Sequence, residues 1–163
     1  MGLAYFAYGS NMSLAQMRER CPNSIRTGIA ILPGFELAFT RFSTRRLTGA
    51  ASVVPAAGRA VWGVLYDLAA DDRAFLDQCE GYQPGRPFAA NNYNPANITV
   101  LRDGDAACPI AAMTYIAVAQ DGVFQPSQAY LATIIEGAIE NGLPDAYIKG
   151  LQALSTGSQT RYL

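Results

Sequence analysis

The 163-residue sequence contains no histidine. That absence removes serine–histidine triads, imidazole metal ligands and imidazole acid–base catalysis from the chemistries open to it. Lysine is almost as scarce: Lys149 is the only one, set in a late amphipathic segment, so a Schiff-base mechanism has one poor candidate. Cys21, Cys79 and Cys108 are odd in number, far apart and without C-x-x-C spacing, which speaks against a disulfide framework or a zinc site and points to a reducing cytoplasm. Long hydrophobic runs are missing too. The apolar opening lacks a basic leader and breaks at Gly9, so it reads as a buried strand and not as a signal peptide or membrane span. A formal charge of −1 offers no basic footprint for nucleic acid or an anionic membrane, and a small-molecule partner fits better. Proton transfer is left to a carboxylate, a tyrosine or a thiol.

Half of the residues are apolar, enough at this length for one domain over residues 1–163 with a real core. Ala4 to Tyr8 is a β-favouring run ended by Gly9, and Ser13-Leu14-Ala15-Gln16 has the capping-box pattern of a helix that Pro22 stops. Phe35 to Phe42, Ala50 to Val54 and Ala60 to Leu68 read as strands between Gly and Pro breaks, which predicts four strands before residue 70. Asp71 to Cys79 reads as a short helix with Phe75 and Leu76 buried and Gly81 as its C-terminal cap, so Glu80 falls at its carboxyl end. Residues 82–97 are rich in Pro, Gly and Asn and form a candidate lid. Ile98 to Leu101 and Ala111 to Ala119 flank Asp103-Gly104-Asp105 as a hairpin. Ser127 caps a helix with the stripe Leu131, Ile134, Ile135, Ala138 and Ile139, and a last helix runs from Asp145 to Leu154. Strands outnumber helices without alternating with them, so the expected class is α+β on a curled sheet.

Two places carry chemistry. The turn Tyr8-Gly9-Ser10-Asn11, between a strand and a helix start, exposes backbone N–H groups suited to a carboxylate or an oxyanion; the bland alternative is an ordinary tight turn. Glu80 sits at the negative end of a helix beside apolar neighbours, where burial would raise its pKa toward the range of a general base; the bland alternative is a solvated helix-end glutamate. Cys79 beside it has no histidine to activate it and reads as core. Arg45, Arg46 and Arg86 can pair with carboxylates, although loop arginines are mostly solvated.

The blocks Tyr5 to Met12, Val61-Trp62-Gly63-Val64, Leu76-Asp77-x-x-Glu80-Gly81, and Gly137 to Pro144 with Tyr147 together resemble the γ-glutamylcyclotransferase (AIG2-like) family. The resemblance implies a compact β-barrel-like mixed sheet with flanking helices, no cofactor, no metal, and cleavage of γ-glutamyl amides into 5-oxoproline and a free amine or amino acid. It places the catalytic glutamate at Glu80 and substrate binding at Tyr5, Phe6, Ala7, Tyr8, Gly9, Ser10, Asn11 and Tyr130. After Gly81 the chain departs from the family, and either Phe88 or Tyr93 takes the expected aromatic place. Family members specific for glutathione usually carry an apolar residue where this chain has Asn11, which turns the expectation away from that branch. A homodimer stays open. Two other readings stand beside this one: a non-catalytic binding module of the same fold, and a lysine- or thiol-based amidase that needs Lys149 or Cys79 in the pocket.

Overall fold

The computed structural model describes residues 2–157. Strand β1 (Leu3–Ala7) leads through a 3₁₀ turn (Ser10–Met12) into helix α1 (Leu14–Arg20). Two long strands follow, β2 (Ile25–Ser43) and β3 (Thr48–Leu68), then helix α2 (Ala70–Cys79) and a 3₁₀ turn at Phe88–Ala90. Strands β4 (Tyr93–Arg102) and β5 (Pro109–Ala117) form a hairpin, and helices α3 (Gln128–Glu140) and α4 (Asp145–Gln152) follow. The strands close into a barrel in the order β1-β3-β2-β4-β5. Closure is made where β1 meets β5 in parallel at Tyr5↔Met113, and the Thr114 hydroxyl donates to the Phe6 carbonyl at 2.7 Å beside it.

Three strands, not four, precede residue 70. The Gly and Pro breaks are bends inside strands: the β2–β3 ladder passes from Pro33↔Ala60 directly to Phe35↔Pro55, so residues 56–59 bulge out with Gly34 and Gly58 at positive φ. Proline is tolerated there because a bulge needs no ladder donor. Ile25–Leu32, which no sequence pattern marked as strand, forms the first part of β2. The irregular 82–97 stretch is shorter than expected, since β4 begins at Tyr93.

The core joins the barrel interior to the helices through Phe6, Met12, Leu65, Leu76, Val100 and Ile134, all essentially inaccessible. Gly63 lies on β3 where a Cβ would stand 2.7 Å from the Phe6 ring, so the missing side chain is what lets β1 pack. The α3 stripe differs at its end: Ile134 and Ala138 are buried, but Ile139 is half exposed. Phe75, expected inside α2, is likewise exposed, and Leu76 alone of that pair is core. Both helix starts follow their caps, with Ser13 Oγ accepting from Gln16 N–H and Ser127 Oγ from Tyr130 N–H. No helix among the described residues is long and apolar enough to cross a membrane. Cys21, Cys79 and Cys108 are free thiols.

Candidate active site

Helix α3 fixes the turn that follows β1. A Cβ on Gly137 would lie 2.8 Å from the Met12 backbone, so glycine allows the helix to press against the turn. Asn141, at the end of α3, donates to the Met12 carbonyl at 2.8 Å, and Tyr66 donates to the Asn11 carbonyl at 3.0 Å. Backbone hydrogen bonds hold Met12 N–H to Gly9 and Ser13 N–H to Ser10, while among the described residues the N–H groups of Ser10 and Asn11 have no backbone acceptor. Two donors thus remain for an anion.

Helix α2 delivers Glu80 to the same place. Gly81 has φ +67°, and a Cβ there would fall 2.5 Å from the Asn92 side chain, so glycine is required for the chain to leave the helix in this direction. Glu80, one residue earlier, is turned inward with only 15% of its side chain accessible. Asn11 Nδ2 donates to Glu80 Oε1 at 2.9 Å and to the Tyr5 hydroxyl at 2.9 Å. The Asn11 amide has no freedom to flip. Its Oδ1 accepts from Arg20 at 3.0 Å and from Gln16 Nε2 at 2.7 Å, and Gln16 Oε1 in turn accepts from Arg46 at 2.7 Å. Guanidinium groups only donate, so they force both amide oxygens toward themselves and the Asn11 NH₂ toward Glu80. No hydrogen bond engages Glu80 Oε2 among the described residues, which leaves that oxygen for a substrate proton.

Burial raises the Glu80 pKa above its ordinary value, against the opposing pull of Arg20 at 3.8 Å and the Asn11 hydrogen bond. Around it Tyr5, Tyr8, Tyr93 and Tyr130 are all pushed up by burial, so they stay neutral phenols. Tyr130 oxygen accepts from Ala51 N–H at 3.1 Å, which frees its own proton for a ligand. Tyr93 donates to the Ala51 carbonyl at 2.6 Å, so one β3 residue seats both rings.

The cavity has two chambers. The inner, about 40 Å³, is lined by Tyr5, Tyr8, Asn11, Tyr115 and their neighbours. The outer, about 310 Å³, opens to solvent, and Ser10, Glu80, Tyr93 and Tyr130 line both. Glu80 therefore stands at the neck. Of the residues marked in the sequence, the structure brings Tyr5, Tyr8, Gly9, Ser10, Asn11, Glu80, Tyr93 and Tyr130 to this cavity. Phe6 and Ala7 lie in the core and do not line it. Arg86 is exposed and donates to Gln83, away from the chamber walls, whereas Arg45 and Arg46 line the outer chamber. Of the two candidates for the aromatic place, Tyr93 lines both chambers, whereas Phe88 is 68% exposed and lines neither. Lys149 is exposed on α4. Cys79 is not core: it is half-buried and lines the outer chamber.

No sequence motif marks Gln16, Arg20, Ala51 or Tyr115 as part of the site. Gln16 and Arg20 share one face of α1 at a four-residue spacing, a signal that was readable once Asn11 was suspected. Ala51 and Tyr115 reach the site only through barrel register, and nothing local announces them.

A model of the AIG2-like family matches residues 60–151. A mouse protein named gamma-glutamylcyclotransferase is 33% identical over 156 residues, spanning 92% of this chain and 77% of the mouse protein. A bovine protein of the same name is 32% identical over 155 residues, with the same coverage. The chain belongs to the AIG2-like γ-glutamylcyclotransferase family. A solved gamma-glutamyl cyclotransferase superposes with a TM-score of 0.83 at 27% identity, covering 99% of this chain and 92% of that one. In this AIG2-like chain the family match includes α2 with Glu80 and Gly81, together with α3 and all of α4 but its last residue. The barrel and its helices carry the γ-glutamylcyclotransferase fold through the full described length.

Proposed function

We propose that this chain converts γ-glutamyl amides into 5-oxoproline and a free amine or amino acid, with Glu80 as the proton carrier. The observation that carries the reading is the position of Glu80: shielded, raised in pKa, and on the wall shared by a small phenolic chamber and a larger one lined by arginines. The γ-glutamyl group enters the inner chamber and the leaving group stays in the outer. The substrate α-amine attacks its own γ-carbonyl carbon, forming the ring C–N bond as the carbonyl electrons move to oxygen. Glu80 takes the amine proton, the oxyanion collapses, the original amide C–N bond breaks, and Glu80 returns that proton to the leaving nitrogen. Water is neither consumed nor produced.

The protein supplies no nucleophile, so positioning is its main task; an intramolecular attack held in reactive geometry reaches an effective molarity of roughly 10⁵ M or more. The free N–H groups of Ser10 and Asn11 and the free Tyr130 proton supply donors for the substrate carboxylate and the developing oxyanion. Phenols with raised pKa values suit this role because they donate without carrying charge. The three free thiols accord with a reducing cytoplasm as the place of action.

One observation favours a second reading: Cys79 lines the outer chamber, as a thiol-based amidase requires. Two substitutions separate them, read by release of 5-oxoproline from γ-glutamyl-alanine. Glu80→Gln lowers kcat by about 10²–10⁴-fold while the circular dichroism stays native, and Cys79→Ala keeps activity near wild type. The reverse pattern would hand the chemistry to the thiol. A folded wild-type protein that releases nothing from any γ-glutamyl amide is a binding module.

A further inference from the structure

The outer chamber is unusual in charge. Arg20, Arg41, Arg45 and Arg46 all line it, and among the described residues Glu80 is the only carboxylate that does. The whole chain carries a formal charge of −1, so this is a local concentration of positive charge in a mildly acidic protein. Ion pairs among the described residues join Arg20 to Glu80, Arg59 to Glu36 and Arg73 to Asp77. Among the described residues Arg41, Arg45 and Arg46 make no ion pair, and the charge that Arg45 and Arg46 feel across the chamber is the single carboxylate of Glu80 already paired with Arg20.

Two of these three are held in place by neutral partners. Arg41 donates to the Val118 carbonyl at 2.9 Å and to Asn92 Oδ1 at 2.9 Å. Arg46 donates to Gln16 Oε1, and its guanidinium carbon lies 5.5 Å from the centre of the Tyr130 ring. A solvated arginine on a loop has no such fixed seat. A guanidinium that is ordered yet unpaired is ready to meet a carboxylate without further loss of side-chain freedom. Burial and the nearby Arg20 both work against the charge on Arg46, which an incoming anion would relieve.

This step rests on the cyclotransferase reading, because it assumes the leaving group occupies the outer chamber. The substrate's own α-carboxylate is served by the turn at Ser10 and Asn11, so the arginines are left to the leaving group. We infer that the outer chamber selects γ-glutamyl amides whose leaving amino acid bears a second acidic group, as in γ-glutamyl-glutamate or γ-glutamyl-aspartate, over those that release a neutral amine. Such a leaving group brings two carboxylates to three guanidiniums that make no ion pair among the described residues. Alanine brings one, and an alkylamine none.

The test is the ratio of kcat/KM values for γ-glutamyl-glutamate, γ-glutamyl-alanine and γ-glutamyl-butylamine, each followed by 5-oxoproline release from the full chain. The expected order is glutamate, alanine, butylamine, with about tenfold per added carboxylate, and the advantage shrinks between roughly 50 and 300 mM salt as the charges are screened. Arg45 is exposed and bonded to no described residue, so Arg45→Gln does not threaten the fold. It should reduce the glutamate-to-butylamine ratio severalfold, through the KM of the acidic substrate. Arg41→Gln should do the same if it folds. Equal kcat/KM for all three compounds, or a preference for butylamine, overturns the inference and leaves the cyclotransferase reading standing. A glutamate preference that Arg45→Gln and Arg41→Gln both leave intact overturns the assignment to these arginines. Release of 5-oxoproline from none of the three defeats both.

Discussion

Asn11 does more than complete a turn. Among the described residues its amide is the only side chain that hydrogen-bonds the Glu80 carboxylate, and its orientation is set from behind by Arg20 and by the Arg46–Gln16 pair. That hydrogen bond lowers the Glu80 pKa against the larger effect of burial. Asn11→Leu removes the donor and leaves the desolvation, so the Glu80 pKa rises further. As a base, Glu80 works in its ionised form, and the acid limb of kcat/KM should move to higher pH in the variant; an unmoved limb would show that Glu80 is not the group titrating. Tyr130→Phe tests the opposite wall. The substitution strips the hydroxyl from a buried Ala51 N–H and should cost about 1–3 kcal/mol of stability for an unsatisfied donor. It should also raise KM for γ-glutamyl substrates, because the free phenolic proton is lost. A Michaelis constant equal to wild type would remove Tyr130 from the substrate contacts.

The elements that place these residues were legible to different degrees. The start of α1 at Ser13, the start of α3 at Ser127 and the end of α2 at Gly81 rest on local chemistry that a sequence displays: hydroxyl caps and a left-handed glycine. Gly81 illustrates how a local rule decides a functional geometry. Its positive φ turns the chain out of α2 directly after Glu80, whose side chain lines both chambers. Gly81→Ala would force an L residue to φ +67° and drive its Cβ against Asn92, and should lower stability by roughly 1–3 kcal/mol. Denaturant unfolding checks this, and a midpoint equal to wild type would mean that the chain finds another exit from α2. The long strands were less legible. Pro33, Gly34, Pro55 and Gly58 mark ends in a one-dimensional reading, whereas in the barrel they fall on a bulge that both strands share. The exposure of Phe75 and Ile139 has a similar origin, since helical spacing places apolar residues on one face without saying where the partner surface ends.

At the scale of the molecule, the barrel is what makes a site from residues far apart in sequence. Tyr5, Ala51, Tyr93 and Tyr115 stand on four different strands and converge only because β1 closes on both β3 and β5. The sequence displayed Tyr5 and Glu80 through their motifs, but Ala51 and Tyr115 carry no motif, and their roles arise from register alone. The same convergence buries an ionisable carboxylate, and that cost is paid by the whole fold. Glu80 has a raised pKa in the folded protein and an ordinary one when unfolded. Between those two values the folded state holds more protons than the unfolded state, so stability falls as pH rises through that window. Below the ordinary carboxylate value the contribution is fully present; above the raised value it is gone. Glu80→Gln has no such dependence. The variant should therefore gain stability relative to wild type as pH rises from the ordinary carboxylate value through the raised one, with a constant difference above it, read as the gap between the two melting temperatures at each pH. A gap that stays flat across this range, or that closes as pH rises, would mean that the favourable contacts with Arg20 and Asn11 outweigh burial, and Glu80 would then be an ordinary ionised carboxylate poorly matched to proton transfer.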